Sequence, residues 1–246
     1  MKVGVLLVVH GEAPNLGATL ASIREQSRPP DIGLGILDSV TDDVRARLVA
    51  EHFLTTDSTS TATDPFTRIA QNFHQGIRQL SDCDVVVLGD HDDVWRHQRV
   101  EHQSRILDEG EWWMTAGDGA IIDESGAVSA HTLRSTFPVP EQWNDESRWR
   151  NVGYALRHSI ATGGASAVRP KYFAQKPIPH GWLHDRWWSL TATKKARMHL
   201  DDDVVIDYRV QPNQQVGLFS AGQNSHVTWT MRRMRSARVS LRRARD

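Results

Sequence analysis

An α/β fold with a mainly parallel central sheet flanked by helices is what this 246-residue sequence predicts, on three observations. Apolar runs of strand length recur along the first 90 residues. Amphipathic stretches of helix length separate them, which is how parallel neighbours are usually joined. Carboxylates gather where two of the runs stop, at the strand ends where such sheets hold ligands.

The elements follow in order. "VGVLLVV" (3–9) is a continuous apolar run, expected for a strand covered on both faces. Although it opens the sequence, it is short and lacks a small-residue cleavage pattern, so a strand is expected rather than a secretory signal. Leu16, Leu20 and Ile23 then recur at helical spacing. "IGLGILD" gives a second strand ending at Asp38, and "DDVRARLVAEHF" a helix with Val44 and Leu48 on one face. "TTDSTSTATD" reads as a polar loop. Ile69, Phe73 and Leu80 stripe the next helix, which leads into the strand of "DVVVLGDHDDVW" (84–95). Beyond it, 99–110 reads as a helix, 118–130 as two short strands about a turn, and 134–152 as a loop or short helix. A helix is expected from His184 and a strand over 201–210, with Asp201 to Asp203 a solvated turn before it. No internal repeat is present.

Composition narrows the function. Hydrophobic content of 39% and charged content of 24% are those of a soluble globular chain. Cys83 is the single cysteine, which excludes an internal disulfide or cysteine-based zinc site and makes a reducing compartment the default. No apolar run is long enough to span a bilayer. The twelve His show no zinc-like spacing, His97 and His102 being five apart, and read as surface groups. Each Trp reads first as core. The net charge of −1 conceals an asymmetry: from Arg232 to Asp246 seven Arg face one Asp, leaving −7 on the rest. The chain therefore divides into a domain over 1–222 and a basic tail over 223–246. That tail is compatible with an amphipathic helix on anionic membrane or with a solvated end. The acidic body, without a recognition motif, argues against nucleic acid.

The segment 84–95 poses the chemical question. Asp90, Asp92 and Asp93 crowd within four positions, and Arg96 is the sole Lys or Arg within five residues on either side. A divalent cation with hard oxygen preferences, Mg²⁺ or Mn²⁺, would hold such acids together and keep positions open for phosphate oxygens.

"VVVLGDHDDVW" resembles the "DxDD-x-W" segment of family 2 glycosyltransferases with the GT-A fold, in particular their rhamnosyltransferase-like branch. Other segments are similar in the same order over residues 3–217: "VLLVVHGEAPNLGATLASIREQ", "GILDSVTDD", "GDGAIIDESGAV", "SIATGGASAVRP", "LHDRWWSLTA" and "VVIDYRVQPNQQVG". The resemblance implies transfer of a sugar, a deoxyhexose such as rhamnose, from a dTDP- or UDP-linked donor. The acceptor hydroxyl would lie on a glycan, lipid-linked saccharide or small molecule, and the anomeric configuration would invert. It places His10, Gly11, Glu12 and Asp38 at the nucleotide, Asp90 near the ribose or sugar, and Asp92 as main metal ligand. Asp93 would ligate directly, through water, or orient its neighbours. Asp185 matches the base, with His184 orienting it or the acceptor, and Gly163, Gly164 and Trp182 lie on the acceptor or sugar side. Gln211 replaces the family's His at a metal or diphosphate position, leaving Arg209 as an alternative diphosphate contact. His10 also replaces the aromatic residue that stacks on the base. A cytoplasmic site, peripheral at the inner membrane face, is implied. Two rivals remain: a non-catalytic sugar-nucleotide binder, and a Mg²⁺-dependent phosphohydrolase, which would carry its acids near the first strand.

Overall fold

The computed structural model describes residues 1–141, 143–144 and 147–210. Gln211, the rest of "QPNQQVG" and the Arg-rich tail lie outside the described residues. Strand β1 (Val3–His10) is buried at every position but the last. Its side chains alternate between two cores, as the two-residue period of a strand requires. Leu6 and Val8 join one core, with Phe73, Ile77 and Trp188. Val3, Val5, Leu7 and Val9 join the other, with Leu16, Leu20, Val44, Leu48, Val100 and Leu107. Each fully buried aliphatic side chain contributes about 1.5–3 kcal/mol.

Parallel to β1 run β2 (Ile32–Asp38) on one side and β4 (Val85–Asp90) on the other, with β3 (Phe53–Asp57) outside β2. The helices α1 (Leu16–Arg24), α2 (Asp42–Ala50) and α3 (Pro65–Gln79) make the crossovers. Helix α3 starts at Asp64, whose carboxylate accepts the Thr67 N–H at 3.0 Å, followed by Pro65 at the first helical position.

Beyond β4 come β5 (Val94–Trp95), α4 (Arg99–Glu109), β6 (Met114–Ile122), β7 (Val128–Thr132), α5 (Leu133–Thr136) and α6 (Arg148–Ala155). A 3₁₀ turn (Gly163–Ala165), β8 (Ser166–Val168), α7 (His184–Lys194) and β9 (Met198–Arg209) complete the described chain. The sheet order is β3-β2-β1-β4-β8-β6-β9-β5, with β7 on β6. Strand β8 runs antiparallel to both β4 and β6, so the turn that precedes it meets the carboxyl end of β4.

Three expectations change. The stretch expected to prolong the second helix and open a polar loop contains β3, a sheet-edge strand whose Thr-rich pattern hides its pairing with β2. Residues 134–152 hold parts of two helices, α5 and α6. Asp201–Asp203 do not precede a strand but lie inside β9, where Leu200 pairs with Ala116 and Val204 with Asp118. Four residues of β9 thus advance against two of β6, and the acids bulge from the ladder. No helix among the described residues is long and apolar enough to cross a membrane.

Candidate active site

The acid cluster stands at the carboxyl end of β4, and α1 ties it down. Besides its apolar stripe, α1 buries Thr19 and Ser22, and Gln26 is buried just beyond the helix. Thr19 Oγ1 donates to His91 O at 3.0 Å, and the Trp95 N–H donates to Ser22 Oγ at 3.0 Å. Gln26 donates to Arg96 O at 2.9 Å and accepts the Val100 N–H at 2.9 Å. The loop 91–100 is thereby anchored along its length.

Within it, Asp93 is 1% exposed while Asp90 and Asp92 are half-buried. Asp93 Oδ1 accepts the Arg209 N–H at 3.0 Å, and its Oδ2 has no partner among the described residues. Burial, then the charges of Asp92 and Asp185, raise the Asp90 carboxyl to about 7. Burial, then Asp92 and Asp90, push Asp93 well above the carboxylate range.

The charge opposing them is Arg99, in the first turn of α4 and six positions beyond Asp93, outside the window in which the sequence shows only Arg96. Arg99 is 1% exposed, with its guanidinium 3.9 Å from the centre of the Trp95 ring. It donates to Leu88 O at 2.6 Å and Gln103 Oε1 at 3.2 Å. Burial lowers its pKa to about 9, opposed by Asp93 and Asp90, so it remains cationic at neutral pH. Arg96 instead pairs with Asp207 at 2.5 Å.

At the positions expected to meet the nucleotide, β1 and β2 end side by side at His10 and Asp38. Gly11 adopts φ +62°, a left-handed turn that glycine reaches without strain. His10 is exposed and meets His91 edge-on at 4.4 Å; burial and then His91 lower its pKa. Glu12 is exposed. Burial would raise the Asp38 carboxyl, but Arg68 and Asn72 outweigh it and hold it below the ordinary range. Arg68 forks onto both Asp38 oxygens, with Nε at 2.6 Å, and Asn72 donates at 3.0 Å. Neither partner was apparent from the sequence, since each lies 30 or more positions away on α3.

Asp185 sits in the first turn of α7, 9% exposed. Its Oδ2 accepts the Gly163 N–H at 3.1 Å and its Oδ1 its neighbour Arg186's N–H at 2.6 Å. Burial raises its pKa to about 6 against those bonds. His184 makes no hydrogen bond to it. The His184 ring is buried, stacked on Phe73 at 3.7 Å, with neither nitrogen bonded among the described residues, and burial lowers its pKa to about 3. His91 is likewise buried, so the histidines are not uniformly surface groups. Trp182, expected on the sugar side, is 4% exposed and packs edge-on against Trp187. Arg209 directs Nε to Asp92 O and Nη1 to Asp123 O and Glu124 O, at 3.0 to 3.1 Å, so these donors fasten loops.

The acids at β4 fit a divalent cation in chemistry: hard oxygen donors, including one buried carboxylate oxygen without a partner among the described residues. They do not form a preformed cage. Among the described residues, the one set of three His, Cys, Asp or Glu side chains with ligand atoms within 4.8 Å of one another is His102, Asp201 and Asp203. That group lies at the β9 bulge, eight residues along the strand from Arg209, and His102 pairs there with both acids.

No known family pattern matches the sequence, and no curated protein matches it. Solved structures do share its fold. TarS of S. aureus (residues 1–349), in complex with UDP-GlcNAc, matches with a TM-score of 0.62 at 13% identity, over 97% of this chain and 66% of that one. A longer TarS structure gives 0.58 at 13%, over 86% and 37%. Glucosyl-3-phosphoglycerate synthase from Mycobacterium tuberculosis, in complex with Mn²⁺, UDP and glucosyl-3-phosphoglycerate, gives 0.57 at 12%, over 86% and 73%. The chain thus spans from about a third to under three quarters of these proteins' lengths. The expected GT-A architecture is what the chain adopts.

Proposed function

We propose that the protein is an inverting, metal-assisted glycosyltransferase that moves a sugar from a nucleoside diphosphate sugar to an acceptor hydroxyl. One observation carries the reading. A buried carboxylate whose pKa burial raises to about 6, Asp185, is held through Gly163 beside the acid cluster of Asp90 and Asp93. A base poised near the working pH is what deprotonation of an attacking hydroxyl requires. Shared fold with structures that hold UDP, UDP-GlcNAc and Mn²⁺ supports a UDP-type donor.

Asp92 and Asp93, with Gln211 beyond the described residues, would hold Mg²⁺ or Mn²⁺, and Asp90 would face the ribose or sugar. The bound cation would supply positive charge where the departing diphosphate gathers negative charge. His10, Gly11 and Asp38 receive the nucleotide, Asp38 with its oxygens fixed by Arg68 and Asn72. Arg209 acts by fastening the acid loop. Asp185 takes the proton of the acceptor hydroxyl on the face opposite the diphosphate. Rhamnose or another deoxyhexose as the transferred sugar rests on the resemblance of the sequence segments. A glycan, lipid-linked or small-molecule acceptor, and contact of the basic tail with the inner face of an anionic membrane, rest on the same resemblance and on charge.

Asp185→Asn is expected to lower kcat at least 100-fold while leaving UDP affinity in Mn²⁺ unchanged. The wild-type rate should rise with pH through about 6, as Asp185 loses its proton. Steady-state transfer from UDP-sugars alongside UDP titration checks both. Normal turnover by the Asn variant would remove Asp185 from the chemistry.

A further inference from the structure

The turn Gly163–Ala165 touches both halves of the site. A methyl group added to Gly164 would lie 2.6 Å from Asp93 Oδ2 and 3.0 Å from Asp90 Oδ2. A methyl on Gly163 would overlap the His184 ring at Nε2. The same residue's N–H is the donor to Asp185 Oδ2. Neither glycine has a left-handed φ, so the site requires the missing side chains rather than unusual backbone.

Nothing around the turn can yield easily. Gln103, fully buried on α4, donates to Ala165 O at 2.8 Å, and Ser166 Oγ closes back onto Thr162 O at 2.7 Å. The His184 ring cannot retreat, being packed on Phe73 and edge-on to Trp188 at 5.4 Å. On the far side, the Arg209 N–H holds the Asp93 carboxylate by Oδ1 and Arg209 Nε holds the Asp92 carbonyl.

From these contacts we infer that Gly163 and Gly164 are positioning residues that set the separation between the acid cluster and Asp185, one glycine bearing on each side. The inference rests on the transferase reading and adds a division of labour to it. Gly164→Ala presses on Asp93 and Asp90, so Mn²⁺-dependent UDP binding should weaken tenfold or more. Gly163→Ala displaces the amide that orients Asp185, so kcat should fall tenfold or more with UDP affinity within threefold. A purely structural role would move both parameters together.

The experiment titrates Mn²⁺ and UDP calorimetrically into wild type and both variants and measures turnover of UDP-glucose and UDP-GlcNAc. Weakened Mn²⁺-dependent UDP binding in Gly164→Ala, beside a fall in kcat with UDP binding kept in Gly163→Ala, supports the inference. Parallel losses, or none, in the presence of an active wild type overturn it and leave the transferase reading standing. A wild type that neither binds Mn²⁺ with UDP nor turns over either donor overturns both. Should a variant fail to fold, the crystal structure of wild type with Mn²⁺ and UDP decides: the Gly163 N–H is expected to stay within hydrogen-bond distance of Asp185, and its separation from that carboxylate defeats the inference.

Discussion

Three aspartates crowd at the end of β4, and a buried cation, Arg99, offsets part of the cost of ionising two of them. Arg99 is buried, remains protonated at neutral pH, and is spent on Leu88 O and the Trp95 face rather than in a direct ion pair with the acids. It therefore lowers the cost of ionising Asp90 and Asp93 without occupying the space in front of them. Removing a buried compensating charge is expensive. Arg99→Met should destabilise the protein by about 3 kcal/mol near neutral pH, measured by urea denaturation, and Arg99→Lys should recover part of that loss. Equal stability of the Met variant and wild type would show that the acids do not need this counter-charge. The sequence displays Asp90, Asp92 and Asp93 plainly, yet Arg99 reads there as one more polar residue of a helix. Its burial depends on α4 packing against β4 and β8, a contact no local pattern encodes.

At the scale of elements, α1 shows what apolar periodicity reveals and what it hides. Leu16, Leu20 and Ile23 mark its buried stripe, and all three are in the core. The same helix region also supplies Thr19, Ser22 and Gln26, buried polar groups that bond to a loop some 70 residues away. Hydropathy counts those residues as solvent-facing, so the tether was invisible. Gln26→Ala leaves the Val100 N–H unpaired and takes one of two donors from the Arg96 carbonyl, which keeps the Arg99 N–H, and should cost about 2 kcal/mol. A lowered urea midpoint with an unchanged slope would report it, whereas a shift of a few tenths of a kcal/mol would mean that water replaces the side chain. Strands β1, β2 and β4 were legible because burial on both faces demands unbroken apolar runs. The edge strand β3 and the two-residue β5 carry no such demand. The bulge in β9 was misread as a turn because Asp201 to Asp203 look solvated, and two of them are exposed, while His102 on α4 pairs with Asp201 and Asp203.

For the whole molecule, titratable groups of two kinds, shifted by full or partial burial, set the dependence of stability on pH. Asp90, Asp93 and Asp185 keep protons in the fold that the unfolded chain releases near pH 4, so they reduce stability as pH rises from about 4 towards 7 and beyond. His10, His74, His91, His184 and His199 have depressed pKa values; the stability they carry is present above about 6.5 and lost as pH falls. The two sets oppose one another below 6.5, and above it the carboxyls act alone. The metal-free protein should therefore lose Tm between pH 6.5 and 8, and Asp93→Asn should remove much of that slope. A Tm that rises over this interval would contradict the burial of these acids. The architecture has one more implication. Among the described residues only β8, three residues long, joins the four parallel strands on one flank of the sheet to β6, β9 and β5 on the other. Asp185 approaches this seam through Gly163 and the acids through Gly164, so the two halves of the proposed site straddle a short stitch. Slippage by a single residue there would turn Ala167 from one core to the opposite face and part the two halves of the pocket, while leaving the strands on either flank paired.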